Sequence, residues 1–356
     1  MRVQKTYDIL VIGAGPAGSS AAKTAAETGA GVLLLDKKKV MGQPVQCAEF
    51  VPFHIINEVD LVPDQVALSV SFLDTYLPDG QVKSMTSKGF VLERSVFDKD
   101  LIMAARKAGA EVWMGARVIS ISREGVLVEA EGEKIEINAG VVIGADGPRS
   151  VVGRLIGSSN ENFLIGAQYE VVLPKDKMTD RLQVYFHPQW QYGYGWVFPK
   201  GRTANIGIGC TNRPATLLNE FLAFLGIDMR YVVRRTGGLI PVGGPVKKTW
   251  GQKYLLCGDA AGLTHPITGA GIMAAVVSGK LAGAWAALAV KNNDLSLLDG
   301  YEQEWQEMLL PMLSKASMNR RYLLENWTED QEQFCQLIRE TWIAFPEYSN
   351  NKRIGG

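Results

Sequence analysis

The sequence predicts an α/β fold: a parallel sheet carrying a small antiparallel meander, interleaved with an antiparallel-sheet unit and followed by a helical C-terminal region. Three observations predict it. A strand, a glycine loop, a helix and a second strand follow one another up to Asp36; aromatic-rich β-type segments fill Phe163 to Gly209; and the chain beyond Leu295 has a helical pattern throughout. Length agrees, since 356 residues at roughly 150 per domain suggest two domains.

Tyr7-Asp8-Ile9-Leu10-Val11-Ile12 is a short apolar run of the kind that forms a strand buried on both faces. It runs into Gly13-Ala14-Gly15-Pro16-Ala17-Gly18, a GxGxxG loop, after which Ser19 to Thr28 supplies the small residues of a helix packed close to a sheet. Gly29 and Gly31 end that helix, and Val32-Leu33-Leu34-Leu35-Asp36 is the next strand. A lone GxGxxG also occurs in plain turns. Here a strand precedes it, a helix follows it and the second strand ends in an acid, which is the context of a Rossmann-like dinucleotide site. Gly13 permits the tight turn, Gly15 lets a pyrophosphate reach the backbone and Gly18, beside Ala17, permits close helix–strand packing. The helix start offers free N–H groups to phosphates. Asp36 is placed to accept hydrogen bonds from ribose hydroxyls, and this acid opposes a 2′-phosphate, so Lys37, Lys38 and Lys39 are expected to form a solvated loop.

Ser95 to Ala108 has helical spacing through Val96, Leu101, Ile102, Ala104, Ala105 and Ala108. Four short strands are expected next, at Glu111–Met114, Arg117–Ser122, Val126–Glu131 and Lys134–Ile137, with turns at Gly125 and Gly132. Val141 to Gly147 is another buried strand delivered into a turn, Ser150 to Leu155 a short helix, and Lys253 to Cys257 a last strand before Gly258-Asp259 and a long small-residue helix. Nucleotide-type signals thus stand at the beginning, middle and end of the chain. The expected units are a discontinuous cofactor domain (1–70, 94–160, 250–295), a second domain (71–93, 161–249) and a C-terminal helical region (296–356), in which Trp305, Leu309, Leu310, Met312, Leu313, Trp327, Phe334, Leu337, Ile338 and Trp342 are candidate buried positions.

Composition narrows the function. Thirty-seven Lys+Arg against 37 Asp+Glu leave no basic surplus for nucleic acid, and 47% hydrophobic residues exclude general disorder. Cys47, Cys210, Cys257 and Cys335 show no CxxC or Cys/His spacing, and His54 and His187 have no partner pattern, so no metal site is expected and a reducing compartment is. Arg2 and Lys5 precede no signal-type apolar stretch, which points to a cytoplasmic protein, one that is at most peripheral on a membrane. Gly271 to Val290 approaches the ~20 residues of a membrane span. Lys280 at its middle and Gly279 and Gly283 within it make a buried helix of a soluble domain the expectation.

Three segments together resemble the FAD-dependent oxidoreductases of the p-hydroxybenzoate hydroxylase superfamily. They are the Gly13–Gly18 fingerprint with Asp36; Gly144-Ala145-Asp146-Gly147-Pro148-Arg149-Ser150-Val151-Val152-Gly153-Arg154, similar to GADGxxSxVR; and Gly258-Asp259-Ala260-Ala261-Gly262-Leu263-Thr264-His265-Pro266-Ile267-Thr268-Gly269-Ala270-Gly271, similar to GDAAHxxxPxxGxG. The resemblance implies FAD as cofactor. Gly258 and Asp259 would then lie at the ribityl chain, Gly269, Ala270, Gly271 and Ile272 would open a helix toward the flavin pyrimidine edge, Asp146 would support the pyrophosphate region, and Arg94 matches a cofactor-contacting arginine.

A narrower resemblance, to the geranylgeranyl reductase family, rests on Tyr192-Gly193-Tyr194-Gly195-Trp196-Val197-Phe198-Pro199-Lys200-Gly201 with Asn205-Ile206-Gly207-Ile208-Gly209, and on Cys47-Ala48-Glu49. The family carries Cys-Gly-Glu or Cys-Gly-Gly near the flavin; Ala48 replaces that glycine and resists φ > 0. Tyr194, Trp196, Phe198 and Pro199 are thereby candidates to line an apolar slot, with ordinary sheet core as the other reading. Cys47 is a candidate proton donor beside the flavin, or a buried structural thiol. His265 either touches substrate or shapes its loop. The activity implied is hydride transfer from reduced FAD to a carbon–carbon double bond of a small, apolar, prenyl-type molecule. Electrons would come from NADPH, NADH or a ferredoxin-like donor protein, and a nicotinamide would have to bind transiently because there is no second GxGxxG unit. A monooxygenase of the p-hydroxybenzoate hydroxylase type and a flavoenzyme acting on a peptide residue are the competing readings. A peripheral membrane contact through Trp305, Trp327 or Trp342 belongs to the same expectation.

Overall fold

A computed structural model describes residues 3–122 and 125–350; Arg2 and the last six residues of the expected C-terminal region lie outside them. The chain begins β1 (Val3–Ile12), α1 (Pro16–Ala26), β2 (Val32–Asp36), β3 (Phe50–Pro52), β4 (Val66–Tyr76), β5 (Val82–Leu92), α2 (Arg94–Lys107) and β6 (Glu111–Met114). It continues β7 (Arg117–Ile121), β8 (Val126–Ala130), β9 (Glu133–Gly144), α3 (Val151–Leu155), β10 (Phe163–Val172), β11 (Leu182–Tyr185), β12 (Tyr194–Lys200), β13 (Thr203–Cys210) and α4 (Pro214–Phe224). The last part holds β14 (Val232–Pro241), β15 (Trp250–Gly251), β16 (Tyr254–Leu256), α5 (Ile272–Asn292), α6 (Asp299–Glu325), α7 (Gln331–Thr341) and α8 (Pro346–Asn350).

The first sheet has the order β15-β16-β9-β1-β2-β6, with β7 and β8 folded back as a meander on β9. β16, β9, β1, β2 and β6 run parallel to one another, while β15 pairs antiparallel with β16 at the edge. Ile9 to Val11 and Leu33 to Leu35 are almost completely buried, as strands covered on both faces must be. Two expectations for this region change. Glu111–Met114 is not part of the meander: it pairs parallel with β2 as the sheet edge. The segments expected as two strands at 134–137 and 141–144 are one strand, β9, because β1 pairs with it from Val3↔Ile135 through Ile12↔Gly144 and the intervening Asn138-Ala139-Gly140 keeps the ladder.

The second sheet runs β14-β10-β13-β12-β11-β4-β5-β3. It begins at Phe50, earlier than residue 71, because β3 and the start of β4 pair with β5. α4 packs one of its faces through Leu217, Leu218, Phe221 and Leu222, while α6 and α7 contribute Ala316, Leu323, Phe334 and Ile338 to the cluster on the other.

α5 is, among the described residues, the helix long and apolar enough to cross a membrane, yet 67% of its apolar window is buried in the protein. It lies along α1 at backbone distance: a Cβ on Gly279 would stand 2.1 Å from the Ala17 carbonyl oxygen and one on Gly283 2.3 Å from that of Ala21. Lys280, on another side, reaches the Glu58 carboxylate at 2.8 Å. The C-terminal tryptophans are packing residues: Trp305 and Trp342 are buried, and the indole N–H groups of Trp305, Trp327 and Trp342 donate to Thr249, the Pro188 carbonyl and Thr75. Met312, expected inside, is exposed on α6, where Leu313 and Ala316 face the core instead.

Replacing Gly283 by Val forces the Cβ into the Ala21 carbonyl and should destabilise the protein by about 3 kcal/mol or more. Urea denaturation checks this, and a loss within about 0.5 kcal/mol would contradict the backbone-level contact.

Candidate active site

The three glycine-rich segments meet because the strands that deliver them are neighbours. Asp36 ends β2, Gly13 to Gly18 follows β1, Ala145 to Gly147 follows β9, and Gly258-Asp259 lies two residues beyond β16, all at the carboxyl ends of four adjacent parallel strands. With strands about 4.8 Å apart, those ends span about 14 Å, a trough suited to an extended dinucleotide.

The trough is built for anions and ribose. Gly13 has φ 103°, and a Cβ there would strike the Ala145 carbonyl at 2.3 Å, so the first loop is pressed against the second. Gly15 caps α1 with no side-chain hydrogen bond and has open space where a Cβ would be. Asp36 accepts from the Ala14 N–H at 2.8 Å and the Lys38 N–H at 2.8 Å; each oxygen keeps a lone pair for a ribose hydroxyl. Asp146 accepts from the Val151 N–H at 2.6 Å, but its Oδ1 is buried without a partner among the described residues, and burial raises its pKa. Gly271 caps α5 with no side-chain bond, leaving the first N–H groups of that helix free. Asp259 stands beside it, accepting from Thr264 Oγ1 at 2.9 Å, with its pKa raised by burial and held back by Thr264 and Arg94. An orphaned carboxylate oxygen, an open glycine cradle and two uncapped helix starts fit a bound FAD.

Arg94 opens α2 and grips Asp98 with two bonds of 2.8 and 2.9 Å. Burial works against its charge, but the Asp98 carboxylate, with Glu49 nearby, holds the guanidinium protonated. It acts electrostatically on both Cys47 and Asp259, so its charge lies near both.

Across from that end of the trough stands one face of the second sheet. Along β12, Tyr194, Trp196, Phe198 and Lys200 alternate onto this face. Pro199 does not join them: strand alternation puts it with Gly195 and Val197 on the opposite face, which α4 covers. The glycines of β13 explain how the indole fits, because a Cβ on Gly207 would lie 2.3 Å from the Trp196 ring, which rests on the bare strand. Trp196 Nε1 donates to Gln168 at 2.9 Å, and Gln168 Nε2 donates to the Cys47 carbonyl at 2.8 Å. The Tyr194 hydroxyl donates to the Thr268 carbonyl in the loop before α5. Phe186, Trp342 and Ile267 complete the apolar lining around Tyr194.

The Cys47 loop lies between the trough and this face. Burial pushes the thiol pKa up, opposed by Arg94 and by the Glu49 N–H, which donates to Sγ at 3.1 Å. Ala48 keeps out of the left-handed region; the residue that takes it is Glu49, with φ 74°. Sequence reasoning missed Glu49, Lys200, Asn205 and Gln168 as members of the site. A lysine inside a buried aromatic strand was the available signal, since such a charge needs a partner. His265 is turned into its own loop: Nδ1 accepts from the Ile267 and Thr268 N–H groups at 3.3 and 3.2 Å. Cys210, Cys257 and Cys335 are buried, and among the described residues no group of three His, Cys, Asp or Glu side chains is placed to hold a metal.

Residues 8–152 match the family model described as FAD dependent oxidoreductase, and residues 214–334 that described as Lycopene cyclase protein. Fold, trough and match define an FAD-dependent oxidoreductase, and the protein is an enzyme of that class. A digeranylgeranylglycerophospholipid reductase of Methanopyrus kandleri is 38% identical over 325 residues, 85% of this chain and 86% of its own. A geranylgeranyl bacteriochlorophyll reductase-like structure from Thermoplasma acidophilum superposes with a TM-score of 0.84 at 28% identity, over 98% of this chain and 99% of that one. The chain belongs to the geranylgeranyl reductase family of FAD-dependent oxidoreductases. PqsL of Pseudomonas aeruginosa, a probable FAD-dependent monooxygenase, has a TM-score of 0.69 at 17% identity over 94% of this chain and all of its own, and shares the fold alone.

Burial lowers the His265 pKa to about 4. The unfolded chain therefore binds a proton below about pH 6.5 that the native chain refuses until about pH 4, and up to about 3 kcal/mol of stability is lost across that window as pH falls. His265→Asn, which keeps an acceptor for the loop N–H groups, should flatten the stability profile between about pH 7 and 4.5 in urea titrations; an unchanged profile would contradict the assignment.

Proposed function

We propose that this enzyme reduces carbon–carbon double bonds of a prenyl-type lipid held between the trough and the aromatic face of β12. The observation that carries this reading is the pairing of that face with a protonated thiol: Tyr194, Trp196 and Phe198 offer an apolar bed, and Cys47 lies at its edge, tied to Trp196 through Gln168. The Methanopyrus kandleri relative, a digeranylgeranylglycerophospholipid reductase, supports the same substrate class.

In this reading Gly13, Gly15, Ala17 and Gly18 seat the FAD pyrophosphate, supported by Asp146, and Asp36 takes the adenosine ribose. Gly258, Asp259 and Arg94 hold the ribityl and flavin end, with Gly269 to Ile272 presenting the helix start. Bound FAD, once reduced, supplies a hydride. The protein does the rest. The aromatic face keeps water from the alkene and orients it, and the Cys47 thiol, kept protonated at neutral pH by burial, gives a proton to the second alkene carbon. One hydride and one proton thus become two C–H bonds, and sulfur keeps the electron pair of its broken S–H bond. The donor that reduces FAD is a nicotinamide or a ferredoxin-like protein that meets it transiently, a reading supported by the single GxGxxG unit. A cytoplasmic enzyme that meets its lipid at the membrane surface is the setting this implies.

The FAD-loaded protein, reduced anaerobically and mixed with digeranylgeranylglycerophospholipid, should regain oxidised-flavin absorbance and yield product two hydrogens heavier per double bond. Reoxidation that needs oxygen, with a hydroxylated product, would replace this reading by a monooxygenase. Cys47→Ser should retain FAD and lose about 10²-fold or more in turnover. Full turnover in that variant would remove the thiol from the mechanism.

A further inference from the structure

We propose that Glu49 is a positioning residue: clamped by Lys200 and Asn205 in a left-handed backbone conformation, it aims its N–H at the Cys47 sulfur and fixes the thiol at the edge of the substrate face. The inference rests on the reading of Cys47 as proton donor and deepens it.

A φ of 74° is one that L side chains rarely adopt and glycine adopts freely, so something must hold Glu49 there. Its side chain does. Lys200 Nζ lies 2.8 Å from Oε2, which also accepts from Asn205 Nδ2, and Oε1 accepts from the Arg94 backbone N–H at 3.3 Å. The Glu49 carbonyl accepts from the Leu92 N–H at 2.9 Å. The side chains of Lys200 and Glu49 are 2% and 1% exposed, and beyond Glu49 the lysine reaches Glu93 at 3.1 Å. A pair sunk this far loses the hydration of two charges, which makes it a poor device for stability and a good one for fixing geometry. It fixes two distant parts of the chain: Lys200 and Asn205 come from the second sheet, and the loop they hold carries the thiol.

The charges around the sulfur agree with this role. α2 supplies Arg94, which favours the thiolate, and Asp98, which Arg94 neutralises; the loop supplies the Glu49 carboxylate, neutralised by Lys200; β12 supplies the Tyr194 hydroxyl. When the S–H proton moves to an alkene carbon, the sulfur keeps the pair facing the Glu49 N–H and the Arg94 guanidinium, and it recovers a proton from water after product leaves. An N–H aimed elsewhere would leave the thiolate one donor short.

The test compares Glu49→Gly with Glu49→Ala, both in a Lys200→Met background so that no buried charge is left unpaired. The two variants have the same charges and differ in how readily residue 49 takes positive φ. In each FAD-loaded, folded variant, the pH dependence of Cys47 alkylation by iodoacetamide is read by mass spectrometry of its peptide. The glycine variant should show a midpoint about one pH unit below the alanine variant, so that below both midpoints it reacts about tenfold faster. Equal midpoints would overturn the proposal, including a case in which the two differ in denaturation midpoint alone, since that is all a merely structural role would move. The alkylation profile does not depend on turnover, so loss of the proton-donor reading in Cys47→Ser and loss of this inference are separate results.

Discussion

The rest of the structure depends on how closely α1 and α5 approach. Gly279 and Gly283 bring α5 against the backbone of α1 at Ala17 and Ala21, and the order of those contacts makes the two helices parallel. Both therefore present their N-termini to the same side of the first sheet, over the carboxyl ends of β1 and β16. One helix start serves the glycine fingerprint and the other lies next to Asp259. Any side chain at the two glycines would push the helices apart and separate the two donor arrays that a single cofactor has to bridge.

A second constraint joins the two sheets. The Cys47 loop belongs to neither, yet Gln168, Asn205 and Lys200 of the second sheet hold its carbonyls and its buried acid, and Arg94 of α2 approaches from the other side. The trough and the aromatic face of β12 are thus held in register by polar contacts at one loop. Gly207 has a part in this, since the flat seat it offers Trp196 sets the direction of the indole N–H that reaches Gln168.

Much of the trough was legible in the chain. The glycine fingerprint, Asp36, the Ala145-Asp146-Gly147 turn and the Gly258-Asp259 segment are local patterns, each recognisable from its own neighbours in sequence. What escaped was of the opposite kind. Glu49 and Asn205 lie 156 residues apart, and neither belongs to a periodic pattern that would mark it. The local pattern ends one strand at Ile137 and starts another at Val141, whereas the partner strand β1 carries the ladder through as a single β9. Met312 was placed inside on helical spacing that did not say which face of a 27-residue helix the core would cover.

By itself, the sequence determined that this chain makes a βαβ dinucleotide unit and returns to it twice, because turn chemistry and strand hydrophobicity act over a few residues and need no knowledge of the remainder. It also determined, by its residue types, that the second sheet would present aromatics. Only the tertiary structure decided which of them share a face, that Pro199 turns away and His265 inward, and that a glutamate rather than the alanine before it takes the strained conformation next to Cys47. The physical reason is that buried charges and strained backbone persist where distant partners compensate them, and those partners become neighbours only when the sheets close on one another.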